Sequence, residues 1–404
     1  MKLHRHLAQA VVQAVPQIFD PERGRYADKV IEYHLRNHKK WGARDRRFFA
    51  ESVYDVVRWW RLLWAAVGRE PNLNEASLWQ VLGVWLVKKD IEFPDWPELK
   101  AVDAVKVRAF LSRSDLPRAI RESIPDWLDE VGAAELGARW PALLSALNTQ
   151  ASVVLRANSL KTTAADLRQR LQTEGVDARE VPGFESALVL PERKNVFKTE
   201  SFKLGLFEVQ DLASQAVAPF LAPKPGERVI DACAGAGGKT LHLAALMKNK
   251  GRILSMDVEA RKLDELRTRA ARDGVDIAET RVIESMKTVK RLENGADRLL
   301  LDVPCSGLGV LRRNPDSKWK TSPKQLESIN SLQREILSAY PRMVKPGGVL
   351  VYSTCSLLPS ENERQVEWFL SQNSGWTLED QKHFWPDEGF DGFYMARLRR
   401  ATGS

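Results

Sequence analysis

The chain has 404 residues, 44% apolar and 28% charged, which allows two to three domains and excludes disordered, collagen-like and disulfide-stapled miniature proteins. Lys and Arg outnumber Asp and Glu by 61 to 53, a net charge of +8, and that excess points to a polyanionic partner, a phosphate backbone first. Its cysteines, Cys233, Cys305 and Cys355, make no secreted disulfide framework and fit a reducing cytoplasm, and no run reaches the ~18 apolar residues of a membrane span.

In chain order, Leu7, Val11, Val15 and Ile18 recur at helical spacing and predict a helix over 1–20, not a signal peptide. Nine of the thirteen tryptophans, Trp41 to Trp140, precede residue 145, among amphipathic stretches such as 46–67 and breakers at Pro71, Pro94 and Pro97. Residues 1–145 are therefore expected to form an all-helical domain. Its basic cluster from His34 to Arg47 surrounds Trp41, which suits a nucleic-acid surface and equally a solvated helix end. Residues 146–205 predict a small α+β module, with strands at 152–157 and 187–190 and a capped helix at 163–175. From 206 to 404, strand-like runs at 228–231, 252–257, 297–302 and 348–354 alternate with helical patterns at 240–247, 260–272 and 324–343. That alternation predicts an α/β, Rossmann-like, doubly wound sheet with its ligands at the carboxyl ends of the strands.

The first of these strands ends at Asp231 and enters Ala232-Cys-Ala-Gly-Ala-Gly-Gly-Lys-Thr240, a turn of small residues opening a helix. Small residues let a ligand reach the backbone, and the helix start offers free N–H groups. A Walker A loop would need glycine at position 233, which is Cys233, and a dinucleotide fingerprint would need it at position 240, which is Thr240. The general pattern survives: Asp257 ends the next strand and suits a ribose, so the ligand is expected to be an adenosine. The last two strands end in Asp302-Val-Pro-Cys305-Ser-Gly and Ser353-Thr-Cys355-Ser, which brings two thiols to one crevice.

The stretch from Asp302 to Pro315, with Lys318-Trp319 after it, and Ser353-Thr-Cys-Ser356 with Glu361-Asn-Glu363, resemble the Sun/Nop family of RNA (cytosine-5)-methyltransferases. Asp231 to Thr240, Val209 to Ser214 and Asp391 to Arg397 share in the resemblance, which is dense over 200–400 and looser through Gly42 to Arg46 and Tyr54 to Arg58. The resemblance implies S-adenosyl-L-methionine as cofactor, held by Cys233, Ala234, Gly235, Ala236, Gly237, Gly238 and Lys239, with Asp257 on the ribose and Glu284 near the adenine. It implies Cys355 as nucleophile, Cys305 assisting product release, and Asp302 near ring nitrogen 3 and the cofactor's amino acid.

Residue chemistry fits this: cytosine carbon 5 is a poor nucleophile until a thiolate adds at carbon 6, and a base must then take the carbon 5 proton. Chemistry alone does not say which cysteine does which. Arg312, Arg313, Lys318 and Lys320 are expected to line the mouth of the site, with Trp319 packing, and Arg193, Lys194 and Lys198 to meet phosphates. The substrate is expected to be ribosomal RNA, with transfer RNA next, and the default assembly is a monomer. Competing readings are an amino-group methyltransferase, which the Val303-Pro-Cys305 sequence disfavours, and a non-catalytic RNA-binding assembly factor.

Overall fold

The computed structural model describes residues 3–402, which divide into two compact units. The first comprises Met1–Thr149 together with Leu311–Pro323, and the second Gln150–Val310 with Lys324–Ser404.

The first unit is helical. Its opening helix, Arg5–Phe19, buries Leu7, Val11, Val15 and Ile18, the stripe expected from their spacing. The stretch at 46–67 is two helices, Ala43–Arg58 and Trp60–Val67, because Trp59 leaves helical geometry at φ −100° and ψ 16°. The tryptophans gathered before residue 145 largely make core: Trp60, Trp64, Trp79 and Trp85 pack with Phe49, Val53 and Leu82. At ~1.5–3 kcal/mol for each large apolar side chain removed from water, this cluster supplies most of the unit's cohesion.

Leu311–Pro323 completes that unit and corrects an expectation. Lys318 is 1% exposed and donates from Nζ to the Arg58 carbonyl at 2.8 Å. Arg58 ends a helix, and the Lys318 amine satisfies an orphan carbonyl there, while burial and the nearby Arg58 guanidinium push its pKa well down. Lys318 is thus a helix cap and not a phosphate contact. Lys320 Nζ is bound to the Ile18 carbonyl, and Trp319 packs as expected, donating from Nε1 to the Val57 carbonyl at 2.7 Å. Asp316 accepts from the Ala27 amide, and Arg58 donates in turn to the Leu311 and Arg312 carbonyls.

The second unit carries two sheets. The smaller is antiparallel, in the order β2-β3-β1-β4, from β1 (Val153–Ala157), β2 (Arg179–Val181), β3 (Phe184–Leu190) and β4 (Phe207–Val209). The helix Ala164–Thr173 packs on it, its N-terminus capped by Thr163, which accepts from the Asp166 amide.

The larger sheet has seven strands: β5 (Arg228–Asp231), β6 (Arg252–Asp257), β7 (Ala278–Val282), β8 (Ala296–Asp302), β9 (Val344–Thr354), β10 (Trp376–Phe384) and β11 (Phe393–Arg400). Their order is β10-β11-β9-β8-β5-β6-β7; β5 to β9 run parallel, and β11 is antiparallel to both β9 and β10. The central strands read as apolar runs because both faces are covered: Ile230, Leu299 and Leu301 enter one core, Val229, Leu300 and Val351 the other.

Candidate active site

β5 has β6 on one side and β8 on the other, so the strand order reverses there and a crevice opens at the carboxyl ends of β5 and β8. The chemistry-bearing residues sit at strand ends on this rim or in the turns that leave it.

The chain leaves β5 at Asp231, turns through residues 232–237 and enters the helix Gly238–Leu246. Gly237 has φ +88°, and a Cβ there would lie 2.4 Å from Leu266 Cγ, so this turn admits no side chain. The loop is pinned on several sides. The Gly235 amide donates to Asp257 Oδ2 at 2.9 Å, Arg269 holds the Ala236 carbonyl at 2.7 Å, and buried Arg156, arriving from β1, holds the Gly238 carbonyl at 2.7 Å and also donates to Gln210. Asp257 accepts from the Glu259 amide with its other oxygen, and each oxygen retains lone-pair capacity for a ribose hydroxyl.

Asp231 is 1% exposed; its Oδ2 accepts from Thr240 Oγ1 at 2.7 Å while Oδ1 has no partner, and burial pushes its carboxyl up to about 7. Burial, with Asp231, Asp302 and Asp257 nearby, also pushes the Cys233 thiol well up, so Cys233 stays protonated. Glu284 stands exposed two residues beyond β7.

β8 and β9 are adjacent and parallel, with Asp302 opposite Ser353. Asp302 accepts from Lys239 Nζ at 2.6 Å and from Ser353 Oγ at 3.0 Å. Burial pulls the Lys239 ammonium down, but the Asp302 carboxylate more than reverses this and leaves it above its ordinary value.

The turns after the two strands bring Cys305 Sγ and Cys355 Sγ to 3.1 Å, too far for a disulfide and within reach of an S–H hydrogen bond; both cysteines are free. The hydrogen bond to Cys355, then burial, push the Cys305 thiol well above the usual thiol range. Cys305 therefore keeps its proton at neutral pH, within hydrogen-bond reach of the Cys355 sulfur.

Sequence reading gave Glu361 no role, though it stands in the Glu-Asn-Glu run. It is fully buried and clamps both cysteine turns: its carboxylate accepts from the Ser306 amide at 2.7 Å, from Ser306 Oγ at 2.6 Å, from Ser356 Oγ, and from Gln333 Nε2 at 3.4 Å. Burial raises its pKa despite these donors. Neighbouring Asn362 bonds Thr354 and the Ser356 carbonyl, and Gly309 donates to the Cys355 carbonyl at 2.9 Å. A single carboxylate with four donors between the two cysteine turns was legible only as an acidic residue in a polar motif, because Ser306 and Gln333 are 55 and 28 residues away in sequence.

The geometry thus gathers Cys233, Lys239, Asp302, Cys305 and Cys355 on one rim, with Ala234 to Gly238 as the adjoining loop and Asp257 beneath it. Among the described residues no group of His, Cys, Asp and Glu is arranged to hold a metal ion, and no helix is long and apolar enough to cross a membrane.

Comparison with known proteins agrees with this picture. Residues 218–399 match the family described as 16S rRNA methyltransferase RsmB/F, and 124–197 match the ferredoxin-like domain of RsmF/B-like methyltransferases. A probable ribosomal RNA small subunit methyltransferase B from Synechocystis is 32% identical over 94% of this chain and 96% of its own length. The ribosomal RNA small subunit methyltransferase B of Pasteurella multocida is 35% identical over 69% of this chain and 65% of its own. The solved structure of PH0851 superposes with a TM-score of 0.83 over 99% of this chain and 100% of that one, at 26% identity. From fold, site and relatives together, the chain belongs to the RsmB/F family of 16S rRNA methyltransferases.

Proposed function

We propose that this protein methylates carbon 5 of a cytosine in small-subunit ribosomal RNA, using S-adenosyl-L-methionine and a transient covalent bond between Cys355 and carbon 6. The observation that carries the reading is the pair of sulfurs 3.1 Å apart at the ends of adjacent strands, beside the Lys239–Asp302 ion pair.

The cofactor suits the residues present. Asp231 Oδ1 is buried without a partner, and the amides of Gly238 and Lys239 open a helix with no acceptor among the described residues. A ligand carrying both an ammonium and a carboxylate answers both needs. Residues 233–239 would border its amino-acid and ribose portions, Asp257 would accept from the ribose hydroxyls, and exposed Glu284 would stand near the adenine. Bound there, S-adenosyl-L-methionine supplies an electrophilic methyl group.

The remaining steps belong to the chain. The Cys355 thiol gives up its proton to water and its sulfur adds to carbon 6, the electron pair moving toward nitrogen 3, where the Lys239–Asp302 pair holds a proton against the developing charge. Carbon 5, now nucleophilic, takes the methyl group. Once the Cys355 sulfur is bonded to carbon, the interaction that most strongly held the Cys305 proton is gone. Cys305 can then ionise to water and accept the proton from carbon 5, and the Cys355–carbon bond breaks to restore the aromatic ring.

The target base must be unstacked to reach the rim, at a cost of roughly a few kcal/mol. We assign the offsetting phosphate contacts to the helical domain at 1–145 and the α+β module at 146–205, in a cytoplasmic protein, with 206–404 doing the chemistry. RNA containing 5-fluorocytidine tests the reading, because fluorine cannot leave as a proton. The expected result is a cofactor-dependent adduct mapped to Cys355; an adduct formed equally by Cys355→Ala overturns it. Bisulfite mapping of ribosomal and transfer RNA, with and without the gene, identifies the substrate.

A further inference from the structure

A cavity of about 780 Å³ lies in the second unit, lined by the β3 hairpin and the 162–164 turn of the small sheet, by the helices Leu212–Leu221 and Gly238–Leu246, and by β10 and β11. None of the active-site residues lines it. Its size falls in the range of small-molecule sites.

Its walls have three chemical zones. Phe184, Phe220 and Phe384 give aromatic surface. Behind them His242 is 5% exposed and has no hydrogen-bond partner, and burial holds its imidazole neutral, far below the usual histidine range. A neutral imidazole offers one donor and one acceptor, which is what the edge of a heteroaromatic base requires and what a purely apolar guest leaves unsatisfied.

The third zone suits an anion. Thr163 and Ala164 line the cavity at the start of the ten-residue helix Ala164–Thr173, where the amides of Ala164 and Ala165 have no acceptor among the described residues. Ser159 and Thr162 add hydroxyls, and exposed Lys382 places Nζ 5.6 Å from the Phe220 ring centroid. Two acidic residues, half-buried Asp380 and exposed Glu185, also line the cavity; against them stand Lys382 and Arg397, the latter paired with Glu379 outside the lining.

We propose that this cavity is a second ligand site that binds a nucleotide, its base among the three phenylalanines against His242 and its phosphate at the helix start beside Lys382. Aromatic stacking with a nearby cation is how proteins hold an unpaired base without reading a long sequence. The nucleotide is either a residue of the RNA, outside the target cytosine, or a free mononucleotide. The proposal does not rest on the cytosine chemistry.

The probe is adenosine monophosphate, observed by saturation-transfer NMR on the full chain with S-adenosylhomocysteine in excess to fill the cofactor crevice. Saturable binding is expected. Ala216→Trp, which fills the cavity from a half-buried helix position, abolishes it, and Lys382→Glu weakens it about tenfold, a loss of ~1.4 kcal/mol. Both variants retain S-adenosylhomocysteine binding, which shows that they are folded. Photocrosslinking of 4-thiouridine RNA to Phe184, Phe220 or Phe384, suppressed by adenosine monophosphate, assigns the site to the RNA; mononucleotide binding without such crosslinks assigns it to a free nucleotide. Absence of binding to the wild type, or binding untouched by both substitutions, overturns the proposal.

Discussion

Replacing Glu361 tests whether one buried carboxylate sets the distance between the two sulfurs. Glu361→Ala strands the Ser306 amide and leaves two serine hydroxyls to find new partners, while the Gln333 amide keeps its 2.9 Å bond to the Pro304 carbonyl. Each stranded buried donor costs ~1–3 kcal/mol, while removing a carboxylate whose burial is itself unfavourable returns part of that. The net is about 3–4 kcal/mol of local opening energy, or 10²–10³ in rate at ~1.4 kcal/mol per decade. Glu361→Gln keeps the shape: one oxygen still accepts from the Ser306 amide, and the new amide donates to serine hydroxyls that rotate to receive it. Its cost should stay below ~1.5 kcal/mol. Amide hydrogen exchange of the peptide bearing Ser306, followed by mass spectrometry, reads the opening directly, and 5-fluorocytidine trapping reads the chemistry. The alanine variant should exchange ~10²-fold faster and lose trapping in step, with the glutamine variant within about tenfold of wild type. Wild-type exchange and trapping in Glu361→Ala would refute the clamp.

Cys305→Ala should accumulate an RNA adduct with ordinary cytosine, because release slows ~10²–10⁴-fold without its proton acceptor; denaturing gels of Cys305→Ala against Cys355→Ala show it. Asp231 titrates at about 7 when folded against 3.8 in the free side chain. Because its folded value is raised, the stability it contributes is complete below about pH 4 and lost as the pH climbs to about 7, on the order of 4 kcal/mol. Asp231→Asn should therefore flatten the fall of Tm between those pH values in calorimetry of the cofactor-free protein, and an unchanged slope counts against the assignment. A Cβ on Gly309 would sit 2.1 Å from the Gly392 carbonyl oxygen and 2.8 Å from that of Cys355. Gly309→Ala should cost ~1–3 kcal/mol and displace the Cys355 turn, lowering both Tm and trapping yield.

Strand-to-helix alternation was legible wherever the pattern was local. The runs at 228–231 and 252–257 are β5 and β6 to the residue, and the helix expected at 163–175 is capped by Thr163. Strands of mixed polarity were harder to see: β10 has one mainly exposed face, and β2 and β4 have three residues each, too short for a period to register. The site divides in the same way. Cys305, Cys355 and Asp302 sit in contiguous motifs, and the glycine loop has a recognisable order. The Lys239–Asp302 ion pair and the Glu361 clamp join residues 63 and 55 positions apart, and nothing in the local sequence announces either. Lys318 misled for a related reason: a lysine beside a basic run looks like a phosphate contact, and only the fold shows that it answers a helix end 260 residues earlier.

The excursion at Leu311–Pro323 also sets a timetable. A domain at the amino terminus ordinarily folds as it leaves the ribosome, ahead of the domains synthesised after it. Here the Ala27 amide waits for Asp316 and the end of the helix Ala43–Arg58 waits for Lys318, so the first unit cannot finish until residues 311–323 have been synthesised. Cutting the gene between residues 149 and 150 would accordingly yield two fragments, one with an unfilled seam and the other carrying an orphaned plug.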